Sequence, residues 1–341
     1  MRMKLSDREY KRFDRRSKWS PLFFLCVFFG VLFGLTGCST EEESMLLEYE
    51  IHSPEILSGS SMESYTASYL SDGICVIPKK KQTKKTDPVM TAKASMMIND
   101  TDKKMLYAHN IYQKIYPASI TKIVTAYVTL KYADLDDVVT VSYNASHITE
   151  PGAMKCGFME GDEIVLRDLL YSFLIRSGND AGIAIAEHVA GDVEAFAEMM
   201  NSEMKRLGAV HSHFVNPHGL HDDAHYTTAY DLYLIFHQLL KNELFLDIIN
   251  HADYTAKFQG KDGKKKSLYF TSTDRYLLGT AVAPDGVTVI GGKTGTTAMA
   301  GSCLILYSKG PDDKQYVSVV LRAAGAVDLY TQMTHLLAME K

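Results

Sequence analysis

The stretch YPASITKIVTAYVTL, residues 116–130, combines an apolar helical pattern with a serine and a lysine at its start. Apolar residues recur at i, i+3, i+4 and i+7, at Ile120, Ile123, Val124 and Tyr127. Ser119 and Lys122 are three positions apart, so on a helix they share one face, with Cβ atoms about 5–6 Å apart. The pattern predicts a helix from about residue 118 whose first turn presents a hydroxyl beside an amine.

The Ser119 hydroxyl could act as a nucleophile if the Lys122 amine removed its proton. A serine hydroxyl is a weak nucleophile unless a neighbouring group takes its proton. Lysine can take it only when burial or a positive neighbour lowers the pKa of its amine. A serine in a first helical turn also lies at the positive end of the helix dipole, which favours a developing anion. Taken alone, however, this spacing is common on exposed helix surfaces.

A second polar motif, Ser177-Gly178-Asn179, interrupts two apolar helical patterns, DEIVLRDLLYSFLIR and DAGIAIAEHVA. One interpretation is a connecting turn, in which small polar residues satisfy the backbone. The functional interpretation has Ser177 relaying a proton and Asn179 holding a substrate amide.

A third motif, Lys293-Thr294-Gly295-Thr296, follows the strand-like VTVIGG. A cation and two hydroxyls at the edge of a strand are suited to binding a carboxylate, and a glycine lets an extended ligand approach the backbone closely. The alternative is an ordinary hairpin end.

Strand patterns lie at both ends of this region and helical patterns in the middle. AKASMMIND and KMLYAHN precede the first motif, and VTVI, SCLILYS and KQYVSVVLRA lie near the C-terminus, before a last helix over about 327–339. This order predicts one α/β domain whose terminal strands pair in a single sheet.

The three motifs in this order resemble the signature of penicillin-binding proteins and class A β-lactamases. The likeness extends over about residues 94–324 and includes FVNPHGLHDDAHYTTAYDL and GGKTGTTAMAGSCL. The chain is similar in particular to the serine-type D-alanyl-D-alanine carboxypeptidases, the low-molecular-mass penicillin-binding proteins. The resemblance implies the penicillin-binding/serine β-lactamase-like α/β fold, an antiparallel sheet of the terminal strands flanked by helices, with a helical subdomain.

The resemblance also implies catalytic roles. It makes Ser119 the acylated nucleophile, Lys122 its proton acceptor and Ser177 the group that passes a proton to the leaving D-alanine. The substrate-binding residues that it implies are Asn179, Lys293, Thr294, Gly295 and Thr296. Backbone N–H groups of Ser119 and Thr296 would form the oxyanion hole.

The implied reaction removes the terminal D-Ala from peptidoglycan stem pentapeptides through an acyl-enzyme on Ser119, without metal or organic cofactor. β-Lactams would be covalent inhibitors. Two alternatives remain open: a D,D-endopeptidase of the same fold, and a non-hydrolytic sensor of β-lactams or wall peptides. A formal net charge of −5 gives no reason to expect nucleic acid as a partner.

Three local features depart from the related families or need separate weighing. The segment HFVNPHGLHDDAHY has no glutamate to match the deacylating Glu of class A β-lactamases, so a long-lived penicilloyl-enzyme is expected. Arg275, in YFTSTDRYLL, is a weak candidate for carboxylate binding. Five histidines lie close together and could indicate a zinc peptidase, but their spacing is irregular and no HExxH motif is present: His211, His213, His218, His221 and His225.

The N-terminus has the pattern of an export signal. Residues 1–18 carry eight Lys or Arg, and residues 19–40 carry no charge. The segment ends in Leu35-Thr36-Gly37-Cys38, which resembles the lipobox of bacterial lipoproteins and predicts lipidation of Cys38. An uncleaved transmembrane anchor is the alternative. Both place the chain on the outer face of the bacterial cytoplasmic membrane.

Three segments follow from these patterns: a targeting segment over 1–38, a disordered tether over 39–88 and a D,D-peptidase domain over 89–341. The tether is predicted because like charges come in blocks, seven Glu and one Asp over 39–78 and then five Lys over 79–85. Cys75, Cys156 and Cys303 have no CxxC spacing, and whether any two form a disulfide is left open.

Overall fold

The computed structural model describes residues 73–83 and 87–340. The predicted targeting segment with Cys38, and the predicted tether up to residue 72, lie outside the described residues. Within the described part, none of the helices combines the length and the apolar character that crossing a bilayer requires.

The principal sheet joins the two ends of the domain. Its five strands are all antiparallel and run in the order β2-β1-β9-β8-β7. Their bounds are β1 Ala94–Asn99, β2 Lys104–His109, β7 Thr288–Thr297, β8 Gly301–Lys309 and β9 Gln315–Ala323. The predicted single sheet of terminal strands is confirmed, and β1 pairs directly with β9.

A second, smaller sheet was not predicted. It has four strands in the order β3-β4-β5-β6. Their bounds are β3 Val138–Thr140, β4 Glu163–Val165, β5 Asp253–Gln259 and β6 Lys265–Thr271. Strands β3 and β4 have three residues each, which is too short for a visible alternation. Glu163–Val165 therefore looked like the start of the helix that follows it.

The described residues also form eight α-helices. Their bounds are α1 Lys122–Tyr132, α2 Tyr143–Ser146, α3 Leu166–Arg176, α4 Asn179–Ala190, α5 Val193–Arg206, α6 Ala229–Leu239, α7 Glu243–Ile249 and α8 Ala326–Leu337. Local sequence sets several of these ends. The Asp192 carboxylate, for example, accepts the Ala195 N–H at the start of α5.

The principal sheet is covered on both faces, which is why β8 and β9 read as nearly continuous apolar runs. On one face α8 packs Leu329, Met333 and Leu336 against the sheet. On the other lies the larger core, which contains α1 and α6. Each fully buried Leu or Met side chain contributes about 1.5–3 kcal/mol relative to exposure. The N-terminal half of α1 is therefore held in the interior, where Ile123 and Val124 are fully buried.

The domain begins before the predicted boundary at residue 88. Cys75 and Ile77 are each 3% exposed and belong to the larger core. The Cys75 N–H donates to the Tyr233 hydroxyl (2.9 Å), and the Tyr230 hydroxyl donates to the Cys75 carbonyl (3.0 Å). Four apolar residues, at positions 74–77, lie between an acidic and a basic block, and a run this short shows no clear periodicity. The sequence analysis therefore assigned this packed segment to the tether.

Candidate active site

The first motif forms a tight turn at the head of α1. Pro117 precedes a 3-10 turn over Ala118–Thr121, and the α-helix itself begins at Lys122. The predicted helix from about residue 118 therefore starts as the tighter form. Ala118 takes a φ of 48°, an uncommon value for a residue with a Cβ. The turn places Ser119 at the N-terminal end of α1.

Lys122 is fully buried and bonded in three directions. Its Nζ lies 3.1 Å from Ser119 Oγ, 2.7 Å from Asn179 Oδ1 and 2.7 Å from the His218 carbonyl oxygen. Burial, followed by the nearby charge of Lys293, holds the pKa of Lys122 well below its ordinary value. Both conditions for a lysine base are therefore present: the serine is in reach, and the neutral amine is favoured.

The second motif joins α3 to α4. Ser177 caps the end of α3 in the left-handed region, with a φ of 64° and a ψ of 32°. Asn179 is the first residue of α4 and is 4% exposed. Strained backbone of this kind persists where its surroundings fix it, and it is frequent at functional sites. The turn points Asn179 at Lys122 and Ser177 at the third motif.

The third motif lies on β7. Lys293 is 2% exposed; its Nζ is 3.0 Å from Ser177 Oγ and 3.1 Å from the Thr294 carbonyl oxygen. Burial lowers the pKa of Lys293 to about 7, and the Asp274 carboxylate opposes that shift. Burial in turn raises the pKa of Asp274 to about 6.

Gly295 allows β7 to pass directly beside the nucleophile turn. A Cβ at this position would lie 2.8 Å from the Ser119 backbone nitrogen and 3.0 Å from that of Ile120. Any side chain would therefore push the strand and the turn apart. The absent side chain brings the backbone of β7 next to the Ser119 N–H.

The three motifs meet at one cleft of about 440 Å³. Six of the predicted site residues line it: Ser119, Ser177, Asn179, Thr294, Gly295 and Thr296. The other two predicted residues, Lys122 and Lys293, are buried and bond to residues of the wall. The structure thus brings all eight together.

Several residues of the cleft were not predicted from the sequence. The Thr273 hydroxyl bonds to that of Thr294 (2.5 Å). Tyr330, on α8, also lines the cleft, and the Arg275 guanidinium lies 5.2 Å from the centre of its ring. Arg275 lines the cleft as well, so the weak carboxylate candidate is at the site. Its neighbour Tyr330 carried no motif, because only the packing of α8 on the sheet brings it there.

The five histidines are held in separate local contacts. Among the described residues, no group of three or more His, Cys, Asp or Glu is arranged to hold a metal ion. His218 is 7% exposed, its carbonyl accepts from Lys122, and burial holds its pKa well below the ordinary value. His225 is also buried and bonds to Thr121.

The three described cysteines, Cys75, Cys156 and Cys303, are all buried, and none of them forms a disulfide with another described cysteine.

Comparison with known proteins connects this geometry to one family. The family model of the D-alanyl-D-alanine carboxypeptidases, peptidase family S11, matches residues 80–325. D-alanyl-D-alanine carboxypeptidase DacF of Bacillus subtilis is 31% identical over 252 residues, covering 72% of this chain and 61% of that protein. DacC of Escherichia coli is 33% identical over 244 residues, covering 69% and 58%. The chain thus spans about three-fifths of the length of these curated relatives.

A solved structure gives the same result for the fold. The Streptomyces K15 DD-transpeptidase superimposes with a TM-score of 0.68 at 27% identity, covering 75% of this chain and 99% of that one. The α/β penicillin-binding fold expected from the motifs is therefore confirmed.

Proposed function

The chain belongs to the D-alanyl-D-alanine carboxypeptidase family, and we propose that it removes the terminal D-alanine from peptidoglycan stem pentapeptides through an acyl-enzyme on Ser119. The observation that carries this proposal is the set of contacts around Lys122. A neutral amine has two N–H groups and one lone pair. The two acceptors at 2.7 Å, Asn179 Oδ1 and the His218 carbonyl, take both N–H groups. The lone pair is then directed at the Ser119 hydroxyl, 3.1 Å away.

Acylation follows from this arrangement. Lys122 Nζ takes the proton of the Ser119 hydroxyl as Oγ attacks the carbonyl carbon of the penultimate D-alanine. The oxygen that becomes negative is stabilised by the backbone N–H groups of Ser119 and Thr296. When the tetrahedral intermediate collapses, the C–N bond breaks and an ester on Ser119 remains. Positioned proton transfer of this kind typically contributes about 10²–10⁴-fold.

The leaving D-alanine needs a proton, and Ser177 is placed to deliver it. Its Oγ lies 3.0 Å from Lys293 Nζ, at the wall of the cleft. The proton that Lys122 took from Ser119 replaces the one that Ser177 donates, which returns Lys122 to the neutral form. Lys122 then takes a proton from a water as that water attacks the ester, and this proton passes to Ser119 Oγ when the ester bond breaks. None of the described residues that line the cleft carries a carboxylate. This supports slow deacylation of a penicilloyl-enzyme, because no Glu is present to assist the water.

The C-terminal carboxylate of the substrate is proposed to bind at Thr294 and Lys293, with Arg275 as a further cation at the cleft. Protonated Lys293 makes the site electropositive, since it forms no salt bridge within the described residues. A free carboxylate next to the scissile bond is what distinguishes a terminal peptide from an internal one.

A product assay tests the proposed reaction. The purified full chain is incubated with a D-Ala-D-Ala pentapeptide, with a cross-linked dimeric muropeptide and with an added amine acceptor, and products are identified by mass spectrometry. We expect release of one D-alanine per pentapeptide, blocked by penicillin. Cleavage of the dimer would favour the endopeptidase. Transfer of the acyl group to the added amine would favour a transpeptidase. Labelling by penicillin without any product would favour the sensor.

The pH dependence should report the charge of Lys293. With a pKa of about 7 in the free protein, Lys293 is cationic below pH 7 and loses its charge above it. The value of kcat/KM for a D-Ala-D-Ala peptide is therefore expected to fall above pH 7, approaching tenfold per pH unit. In Lys293→Arg the side chain stays cationic, so kcat/KM should not fall above pH 7, whatever its absolute value. A flat wild-type profile from pH 7 to 9 would contradict the assignment.

We also propose that the chain is anchored on the outer face of the cytoplasmic membrane by lipid on Cys38. The support is the basic 1–18 segment, the uncharged 19–40 segment and the Leu-Thr-Gly-Cys ending. Cys38→Ala should abolish incorporation of labelled palmitate and release the protein from washed membranes, whereas Cys26→Ala should change neither. A wild type that stays in washed membranes but incorporates no palmitate would indicate an uncleaved anchor instead.

A further inference from the structure

A buried histidine contacts the turn that carries the nucleophile. His225 is 2% exposed, and its Nε2 lies 2.7 Å from the Oγ1 of Thr121, which is fully buried. Thr121 stands between Ser119 and Lys122 in the sequence and lies in the same 3-10 turn as Ser119. The contact joins residues 104 positions apart.

The contacts of His225 fix its tautomer. The Val215 N–H donates to Nδ1 at 3.2 Å, so Nδ1 carries the lone pair. Nε2 therefore carries the proton and donates to the Thr121 hydroxyl. Burial lowers the pKa of His225 to about 3, and the Asp222 carboxylate opposes that shift; the charges of His213, His221 and Lys122 add to it. The ring is accordingly neutral near pH 7.

The turn needs such support because its backbone is strained. Ala118, next to Ser119, has a φ of 48°, and conformations of this kind persist only where neighbouring structure fixes them. The support comes from the loop 215–225. The Thr125 hydroxyl donates to the Pro217 carbonyl at 2.6 Å. At Gly219 a Cβ would lie 1.9 Å from the Ala118 carbonyl oxygen, so the loop backbone packs directly on the strained residue.

We propose that His225 is a positioning residue, which holds the Ser119 turn in register with Lys122 by donating a hydrogen bond to Thr121. The loop 215–225 contacts the start of α1 through backbone atoms near residues 217–219, and His225 secures the far end of the same loop. This inference rests on the proposed function, because it assigns a role in the acylation of Ser119. Small shifts matter there, since a misplacement of about 1 Å can cost on the order of 100-fold in rate.

Two substitutions separate the two hydrogen bonds of the ring. In His225→Gln the side-chain amide nitrogen can occupy the place of Nε2 and still donate to Thr121. In His225→Asn the side-chain oxygen can occupy the place of Nδ1 and still accept from Val215, but nothing reaches Thr121. Using the full chain and a fluorescent penicillin, we expect His225→Gln to acylate within roughly 3-fold of wild type. We expect His225→Asn to be slower by roughly 10-fold or more.

Folding and chemistry are measured on the same samples. Thermal unfolding of each variant shows whether acylation was measured well below Tm, and a merely structural role would then leave the acylation rate unchanged. The pH profile of His225→Asn should keep the wild-type shape at a lower rate, because a positioning residue exchanges no proton. His221→Gln makes the same change at an exposed histidine of the same loop and should stay within roughly 2-fold of wild type.

The outcomes are distinguishable. If the wild type forms no adduct on Ser119, the proposed function fails. If the wild type is labelled and folded His225→Asn acylates at the wild-type rate, or His225→Gln is as slow as His225→Asn, the positioning role is overturned. Should His225→Asn not fold, Thr121→Val removes the same hydrogen bond from the other side with little change in volume. Acylation must then be slow in Thr121→Val and close to the wild-type rate in Thr121→Ser.

Discussion

A protein in which Ser119 is replaced by alanine is expected to form no covalent penicillin adduct. D-Alanine release should fall by at least roughly 10⁴-fold, since the replacement removes the atom that forms the ester. The fold should persist, because Ser119 is only partly buried. Intact-protein mass spectrometry after incubation with penicillin measures the adduct, and peptide mapping of the wild type should place it on Ser119.

A matched substitution controls for handling and folding. Ser267 lies exposed on β6, and Ser267→Ala should be labelled like the wild type. Labelling of Ser119→Ala at another residue would show that the nucleophile lies elsewhere. Loss of labelling together with a large fall in Tm would leave folding as the cause, so both are measured on one preparation.

Replacement of Lys122 by arginine should slow acylation by roughly 10²–10⁴-fold. The guanidinium stays protonated in proteins, so it has no lone pair with which to take the proton of Ser119. Raising the pH should not restore the rate. Stopped-flow labelling with a fluorescent penicillin measures acylation directly, separately from the deacylation that follows.

The same substitution elsewhere on α1 provides the comparison. Lys131 is partly exposed and pairs with Glu203 at 2.7 Å, an arrangement that arginine can also form. Lys131→Arg should acylate at the wild-type rate. Lys122→Met tests the base without burying a fixed charge, and it should lose as much rate as Lys122→Arg. Near-normal acylation by folded Lys122→Met would refute the assignment of Lys122 as base.

The predicted site residues that the structure brings to the cleft all belong to short local motifs. Ser119 and Lys122 are three positions apart, so helix geometry alone puts them in contact. Strands β8 and β9 were visible because burial on both faces leaves a long apolar run. The spacing of Ser119 and Lys122 and the apolar runs of β8 and β9 are local in the chain, so they can be recognised in a single sequence.

The residues that the sequence missed act through contacts across the chain. The His218 carbonyl reaches Lys122 over 96 positions, and it is a backbone atom whose residue type carries no information about the contact. His225 looked like part of a loose histidine cluster, because nothing near it in sequence indicates Thr121 as its partner. Tyr330 joins the cleft only because α8 packs on the sheet. The packed segment at Cys75 was missed for the same reason.

Under the proposed function, the glycine at position 295 would limit how resistance to β-lactam drugs could arise by mutation of this protein. Drug and wall peptide would use the same Ser119 N–H, and β7 lies against that group only because position 295 has no side chain. A mutation that adds a side chain there would displace the group that the natural reaction needs. Selection for drug escape is therefore expected to act on the rim of the cleft, at positions such as Met154 or Leu220, where bulk can change without moving the nucleophile.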